Sequence, residues 1–283
     1  MISKINQSFI KDMREYKAGV QCGNLIFEKY CNDRLIDLES DSVELGSYFE
    51  YILSGALPKD GQIPQPQYMA SAIKANKGKT EGLKVEDMYS EYRKAHANAD
   101  RIRKFLDELG LKIIKKAHRI TKGRFVGDID LICECTKEID HGNGIIWKVG
   151  DKIVIDLKYS GLINDRWSKH GWSWENIQKT YHGTQAKQYH YLTGLPHHFL
   201  VCQSNAKEEL EADVKLFYVP VDEHMIEHHI AEANELFDAF LMYKDIGFEV
   251  RPSFSKCKGC PLRNECKDKH TFPRAEVVDL NIY

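Results

Sequence analysis

Several features are missing from this 283-residue sequence, and each absence removes a class of protein. No run of about 18 apolar residues occurs, so no segment reads as a membrane-spanning helix. The opening residues MISKINQSFIKDMREYK hold no apolar stretch of signal-peptide length, which points to a cytoplasmic protein. The phosphate-cradling pattern G-x-x-x-x-G-K-[ST] is absent, so the chain carries no ATP-driven helicase of its own. Neither an internal repeat nor a low-complexity tract appears. With 42% hydrophobic and 29% charged residues, the chain can bury a sizeable core. At about 150 residues per domain, it makes one large domain or two small ones.

A large excess of either charge is lacking too: 40 basic and 42 acidic residues leave a net charge of −2. The balance is uneven along the chain. Between Arg93 and Arg124 stand eleven lysines and arginines against Asp100, Asp107 and Glu108, a local excess of +8 that leaves −10 elsewhere. A basic band on a mildly acidic body suits a polyanionic partner better than the pI of about 6.6 implies.

Residues 5–37 read as mostly helical. After the polar break Glu39-Ser40-Asp41-Ser42, a helix near 43–54 is expected, with Ser42 as its cap and Leu45, Phe49 and Ile52 on one face. The Pro-, Gly-, Gln- and Lys-rich segment 55–80 reads as a loop, and 85–110 as a helix. The period then shortens. Strands are expected over 112–120, 124–136, 144–149, 152–159, 197–203 and 214–219, with turns at His141-Gly-Asn-Gly144 and Gly150-Asp151. Helices follow at 175–193 and from Asp222 to Lys244. Helices around a mixed sheet give an α/β or α+β fold. Three regions result: a helical segment over 1–42, a core over 43–220 with a helical insertion at 55–110, and a helix with a cysteine-bearing tail over 221–283.

Two of the strands carry charge where a core strand should carry none. Residues two apart on a strand share a face, which pairs Asp128 with Asp130 and Asp156 with Lys158. Ile153, Ile155 and Leu157 point the other way. Charges among Ile, Val and Leu are costly unless they pair or hold a metal. Two carboxylates beside a lysine suit a hard divalent cation, which polarises a phosphoryl oxygen and acidifies bound water. The lysine would hold or deprotonate that water, and a lysine beside a metal and in an apolar sheet can have a depressed pKa. The plain alternative is a surface ion pair on an edge strand.

The order of these pieces is more specific than any one of them. Glu50 on a helix, Gly127-x-x-Asp130, Asp156-x-Lys158 and then Gln185-x-x-x-Tyr189 on a helix follow one another over residues 43–195. This resembles the PD-(D/E)XK nuclease superfamily, in its RecB-like branch. The resemblance implies a restriction-endonuclease-like α/β core and hydrolysis of DNA phosphodiesters, with exonuclease action on single strands or DNA ends. It makes Glu50, Asp130 and Asp156 ligands of Mg²⁺ or Mn²⁺, with the Leu157 carbonyl joining them and Glu50 standing where many relatives have His. Lys158 becomes the catalytic lysine, and Asp128 is second choice to Asp130. Gln185 and Tyr189 would contact the DNA backbone or position Lys158. A helicase, recombination or CRISPR partner is implied on the same footing.

Eight cysteines in a reducing compartment are not a disulfide framework. Cys257, Cys260 and Cys266 follow the spacing C-x2-C-x5-C. In iron–sulfur members of this branch, that triplet joins one N-terminal cysteine around a 4Fe-4S cluster. The resemblance implies Cys22 here, which opens a helical segment, ahead of Cys31, with Gly23 standing where a proline is common. A local zinc site of Cys257, Cys260, Cys266 and His270 is the rival. Cys133, Cys135 and Cys202 lie in strands and read as core.

Other features carry less. His224, His228 and His229 read as a solvated helix face. The loop 164–174, with Trp167, Trp172 and Trp174 near Arg166, Lys169 and His170, either packs or stacks bases. Two other functions remain open: a non-catalytic DNA-binding subunit with a degenerate nuclease fold, and a zinc-stabilised RNA-binding protein.

Overall fold

A computed structural model describes residues 4–34, 41–55, 57, 90–142, 144–163, 171–172, 180–205, 212–252 and 257–269. The chain forms two compact units, one of residues 39–231 and one joining 1–38 to 232–283.

The larger unit is built on a sheet of order β1-β2-β5-β6-β7. Its strands are β1 (Leu111–Lys122), β2 (Phe125–Cys135), β5 (Lys152–Ser160), β6 (His197–Gln203) and β7 (Val214–Val219). All pairings are antiparallel except β5 with β6. That parallel pair needs a crossover, and the described part of it is helix α5 (Thr180–Thr193). The short strands β3 (Ile139–Asp140) and β4 (Ile146–Trp147) form a separate hairpin. Its turn uses Gly142 and Gly144, both at positive φ.

Alternation decides which face of β5 is core. Ile153, Ile155 and Leu157 join Leu131, Cys133, Leu200 and Cys202 in one buried cluster. Against them pack helices α3 (Asp41–Ser54) and α4 (Ser90–Leu109). On α4, Ala95, Ala99, Ile102 and Leu106 recur at three- and four-residue steps and are fully buried, which is the stripe an amphipathic helix presents to a sheet. A second cluster of Ile163, Trp172, Phe199 and Val201 also involves the sheet, so Trp172 packs as core.

The smaller unit is a knot of aromatic side chains on helices. Helix α1 (Gln7–Lys17) starts with the Asn6 side chain accepting from the Phe9 amide at 2.8 Å. Its buried face of Phe9, Ile10, Met13 and Tyr16 meets Phe237 and Phe240 of α6 (Glu223–Ile246). Asp12 is buried yet satisfied, accepting from Tyr30 at 2.6 Å and Lys29 at 2.9 Å.

The structure corrects several expectations. The helix expected over 5–37 is broken after Lys17, because Gly19 turns left-handed at φ 74° and its amide closes on the Tyr16 carbonyl. Helix α2 (Gly23–Tyr30) then begins afresh. Ser42 lies inside the first turn of α3, which begins at Asp41. The strand expected over 144–149 shrinks to β4. His229 is buried, its Nε2 2.8 Å from Gln188 Oε1, while His224 and His228 are exposed as expected. Most of the 55–80 loop, residues 85–89 and 175–179 of two expected helices, Trp167, Trp174, Arg166, Lys169, His170 and His270 lie outside the described residues.

His198 on β6 gives the larger unit an acid-sensitive point. It stacks on Tyr218 and His141, and among the described residues neither ring nitrogen makes a well-formed hydrogen bond. Burial, reinforced by repulsion from His141, holds its pKa down to about 3. In the unfolded chain it takes a proton near pH 6.5, so between these values the unfolded state binds the extra proton and stability falls as pH falls. Wild-type unfolding free energy should drop by about 2 kcal/mol between pH 7 and 5 through this group alone. In denaturant titrations His198→Phe should show that much less acid sensitivity; parallel pH profiles would contradict the assignment.

Candidate functional site

The pairing of β2 with β5 runs from Glu134↔Lys152 to Leu131↔Ile155 and stops there. The next residues in register are Asp130 and Asp156, so two carboxylates face each other where the ladder opens. Asp130 uses its side chain to close the gap: its Oδ2 accepts the Leu157 amide at 2.7 Å. Opposite Asp130, β1 keeps its register from Lys116↔Leu131 to His118↔Ile129, but Ala117 between them holds the left-handed φ of 44°; the register shift of β1 lies earlier, between Ile113 and Lys115.

Lys158, two residues beyond Asp156 and therefore on its side of the strand, forms an ion pair with Asp156 Oδ2. Gln185 of α5 donates its amide Nε2 to Asp156 Oδ1. Asp156 is 2% exposed and Asp130 8%. The third carboxylate is Glu50 of α3, close enough to Asp130, Asp156 and Lys158 for each to act on the others' charge. Asp128 stays outside: it is exposed and pairs with Arg119 on β1 at 3.3 Å.

Electrostatics follow from this crowding. Burial raises the pKa of Asp130 well above the carboxylate range, and Asp156 and Glu50 push it further. Glu50 is raised by burial against the pull of Lys158, with Asp156 adding repulsion. Burial also raises Asp156, against the pull of Lys158. For Lys158, burial alone would lower the pKa, but Asp156, Asp130 and Glu50 outweigh it and the net shift is upward. Among the side chains present, the neighbouring carboxylates outweigh desolvation in setting its charge.

Gln185 and Tyr189 are both buried, at 4% exposure. Tyr189 donates its hydroxyl to the Asp128 carbonyl at 2.7 Å, and Gln188 donates to the Val126 carbonyl at 3.2 Å. One helix thus holds both the β2 backbone and Asp156. Gly127 makes that approach possible, since a Cβ there would come within 2.8 Å of Tyr189 Cε1 and Leu192 Cδ1.

Three supporting residues escaped the sequence reading. Tyr159 stacks on Phe49 at 4.3 Å and receives a hydrogen bond from Asn98 at 3.0 Å, tying the helix of Glu50 to the strand of Lys158. Gln188, fully buried, links β2 to His229. Asn98 was legible as a polar residue inside the apolar stripe of α4. Gln188 and His229 left no such mark.

The donor set fits a hard divalent cation. With three carboxylates and one ammonium ionised, the cluster carries a formal −2, which a single Mg²⁺ or Mn²⁺ would cancel. Among the described residues, Asp156 Oδ2 is held by the Lys158 ammonium alone. The Leu157 carbonyl belongs to the residue whose amide already touches Asp130.

In the smaller unit, Cys22, Cys257, Cys260 and Cys266 line one cavity; Cys31 does not. Burial raises the Cys260 thiol, with Cys257, Cys22 and Cys266 adding repulsion. Asn24 donates its amide to Cys266 Sγ at 3.3 Å. Gly23 explains the missing proline: its amide donates to the Glu249 carbonyl at 3.1 Å, and no Cβ fits beside that oxygen. Four soft thiols suit iron–sulfur or zinc. Among the described residues, no three Cys, His, Asp or Glu side chains are already drawn to one coordination point. In either place a bound group would pull its donors inward, and at Asp156 it would displace Lys158 or Gln185.

No family model and no curated protein matches the chain. Among solved structures, it resembles a candidate exonuclease from Eubacterium rectale, with 17% identity and a TM-score of 0.60 over 99% of this chain and 93% of that one. A looser likeness links it to the alkaline exonuclease LHK-Exo of Laribacter hongkongensis, with 13% identity and a TM-score of 0.34 over 71% of this chain and 89% of that one. That score lies below the level at which two chains share a fold. The first likeness establishes the fold: a mixed α/β core with a five-stranded central sheet flanked by helices.

Proposed function

We propose that the chain is a metal-dependent DNA nuclease of the RecB-like PD-(D/E)XK kind, an exonuclease acting on single strands or DNA ends. The observation that carries this reading is the convergence of Glu50, Asp130, Asp156 and Lys158 where β2 and β5 part. Burying three carboxylates around one lysine has no structural advantage over apolar residues of similar size. The shared fold with a candidate exonuclease agrees with it.

Glu50, Asp130, Asp156 and the Leu157 carbonyl would hold Mg²⁺ or Mn²⁺. The ion, when bound, supplies a polarised phosphoryl oxygen and an acidified water. Asp130 keeps its orientation through the Leu157 amide, and Asp156 through Gln185. Lys158, released from Asp156, donates from its ammonium to the attacking water and to the charge that builds on the phosphoryl oxygens. Gln185 and Tyr189, buried as they are, act on the DNA through Asp156 and the β2 backbone and not by touching it. Cys22, Cys257, Cys260 and Cys266 would hold a 4Fe-4S cluster, and their common cavity favours Cys22 over Cys31. Such a cluster would fasten Cys22 to the C-terminal cysteines of its own unit. Binding to a helicase or other recombination partner rests on the family resemblance alone.

End-labelled single- and double-stranded DNA should be degraded by anaerobically purified protein with Mn²⁺ or Mg²⁺. Lys158→Ala and Asp130→Asn should each lower kcat by at least about a hundredfold while keeping the circular-dichroism melting profile. Variants that cleave at near wild-type rates would remove these residues from the chemistry. Iron and acid-labile sulfide should be present in equal amounts in the wild type and lost in Cys260→Ser; stoichiometric zinc in a colourless protein would refute the cluster.

A further inference from the structure

The basic band of the sequence divides in the fold. On α4, Arg103 engages Asp100 and the Ile52 carbonyl, Lys104 engages Glu108, and Arg101 engages the Ala212 carbonyl. On β1 the situation differs. Among the described residues β1 is an edge strand of the central sheet, hydrogen-bonded to β2 alone. Lys112, Lys115, Lys116, Arg119 and Lys122 along it are all exposed. Arg119 has Asp128, and Lys122 has the Tyr191 ring and carbonyl. Lys115 and Lys116 enter no ion pair with any described residue. They lie between the register shift at Ile113/Lys115 and the left-handed Ala117, and Lys116 pairs with Leu131, the neighbour of Asp130. Consecutive strand residues point to opposite sides, so these two ammonium groups flank the strand where it passes the carboxylate cluster.

We infer that the outer edge of β1 is a rail for a nucleic-acid strand, with Lys115 and Lys116 gripping its phosphates beside the site. This rests on the nuclease reading above and gives it a substrate path. The attraction has a physical need behind it. The cluster itself is anionic and repels phosphates, so cations close to it must hold the strand in place. Small Ala117, between Lys116 and His118, leaves the approach to Asp130 unobstructed by a long side chain. A lysine-rich edge also discourages other strands from adding to the sheet. Glutamate serves that purpose equally well but cannot bind phosphate, so charge reversal separates the two roles. Both lysines lie opposite apolar residues, Ile132 and Leu131, so reversal sets no like charges across the ladder.

The test is fluorescence anisotropy of a short labelled single-stranded DNA in EDTA, across a salt series, with wild type and Lys115→Glu/Lys116→Glu. The double variant should bind at least about tenfold more weakly, with log Kd about 1 to 2 units less steep in log salt, as two lost phosphate contacts require. Its hydrolysis of bis(p-nitrophenyl) phosphate with Mn²⁺, a substrate too small to reach the edge, should equal wild type. Lys115→Gln/Lys116→Gln should move binding in the same direction by less. Unchanged affinity and salt slope would overturn the rail. A wild type that binds DNA but hydrolyses neither substrate would sink the nuclease reading, and a weakened double variant would still support β1 as the strand-binding edge.

Discussion

Everything around the site answers one constraint: three carboxylates and a lysine share a place from which water is largely excluded. An unpaired buried carboxylate costs several kcal/mol, and close neighbours of the same sign add to this. The fold meets the demand with short, directed contacts. The Leu157 amide holds Asp130, Gln185 holds Asp156, and Lys158 neutralises part of the charge of all three carboxylates, Glu50 included. The groups come from four elements, so the site exists only when α3, β2, β5 and α5 are all in place.

That dependence explains the geometry beyond the four residues. Pairing of β2 with β5 has to end at Leu131 and Ile155, because a continued ladder would press the two aspartates together without room for a cation. β1 yields at the same level, through the left-handed Ala117. Gly127 lets Tyr189 and Leu192 close on β2, and the Phe49–Tyr159 stack sets the distance between helix α3 and strand β5. Raised carboxyl pKa values and a raised lysine are two views of one shortage of positive charge, which a divalent cation would relieve.

Much of this was legible in the sequence because strand alternation is a strict rule. It gave the core face of β5 and the opposite face of Asp156 and Lys158, and motif spacing chose Asp130 over Asp128. β6 and β7 came out with the expected bounds, since short apolar runs between turn residues leave little choice. Long-range partners were not legible. The burial of His229 depends on Gln188, forty-one residues earlier. The charge of Lys158 depends first on Asp156 and Asp130 and then on Glu50, which spacing alone cannot place at its side. The break between α1 and α2 was missed because Gly19 sits in an otherwise helical pattern, and a single glycine is tolerated there until its φ turns positive.

The central claim is that the carboxylate cluster is a divalent-cation site, and calorimetric titration with Mn²⁺ tests it most directly. The account predicts saturable binding to the wild-type protein and affinity at least about tenfold weaker in Asp156→Asn, with both proteins equally folded. Equal Mn²⁺ affinity in the two proteins, or no binding to either, would contradict it.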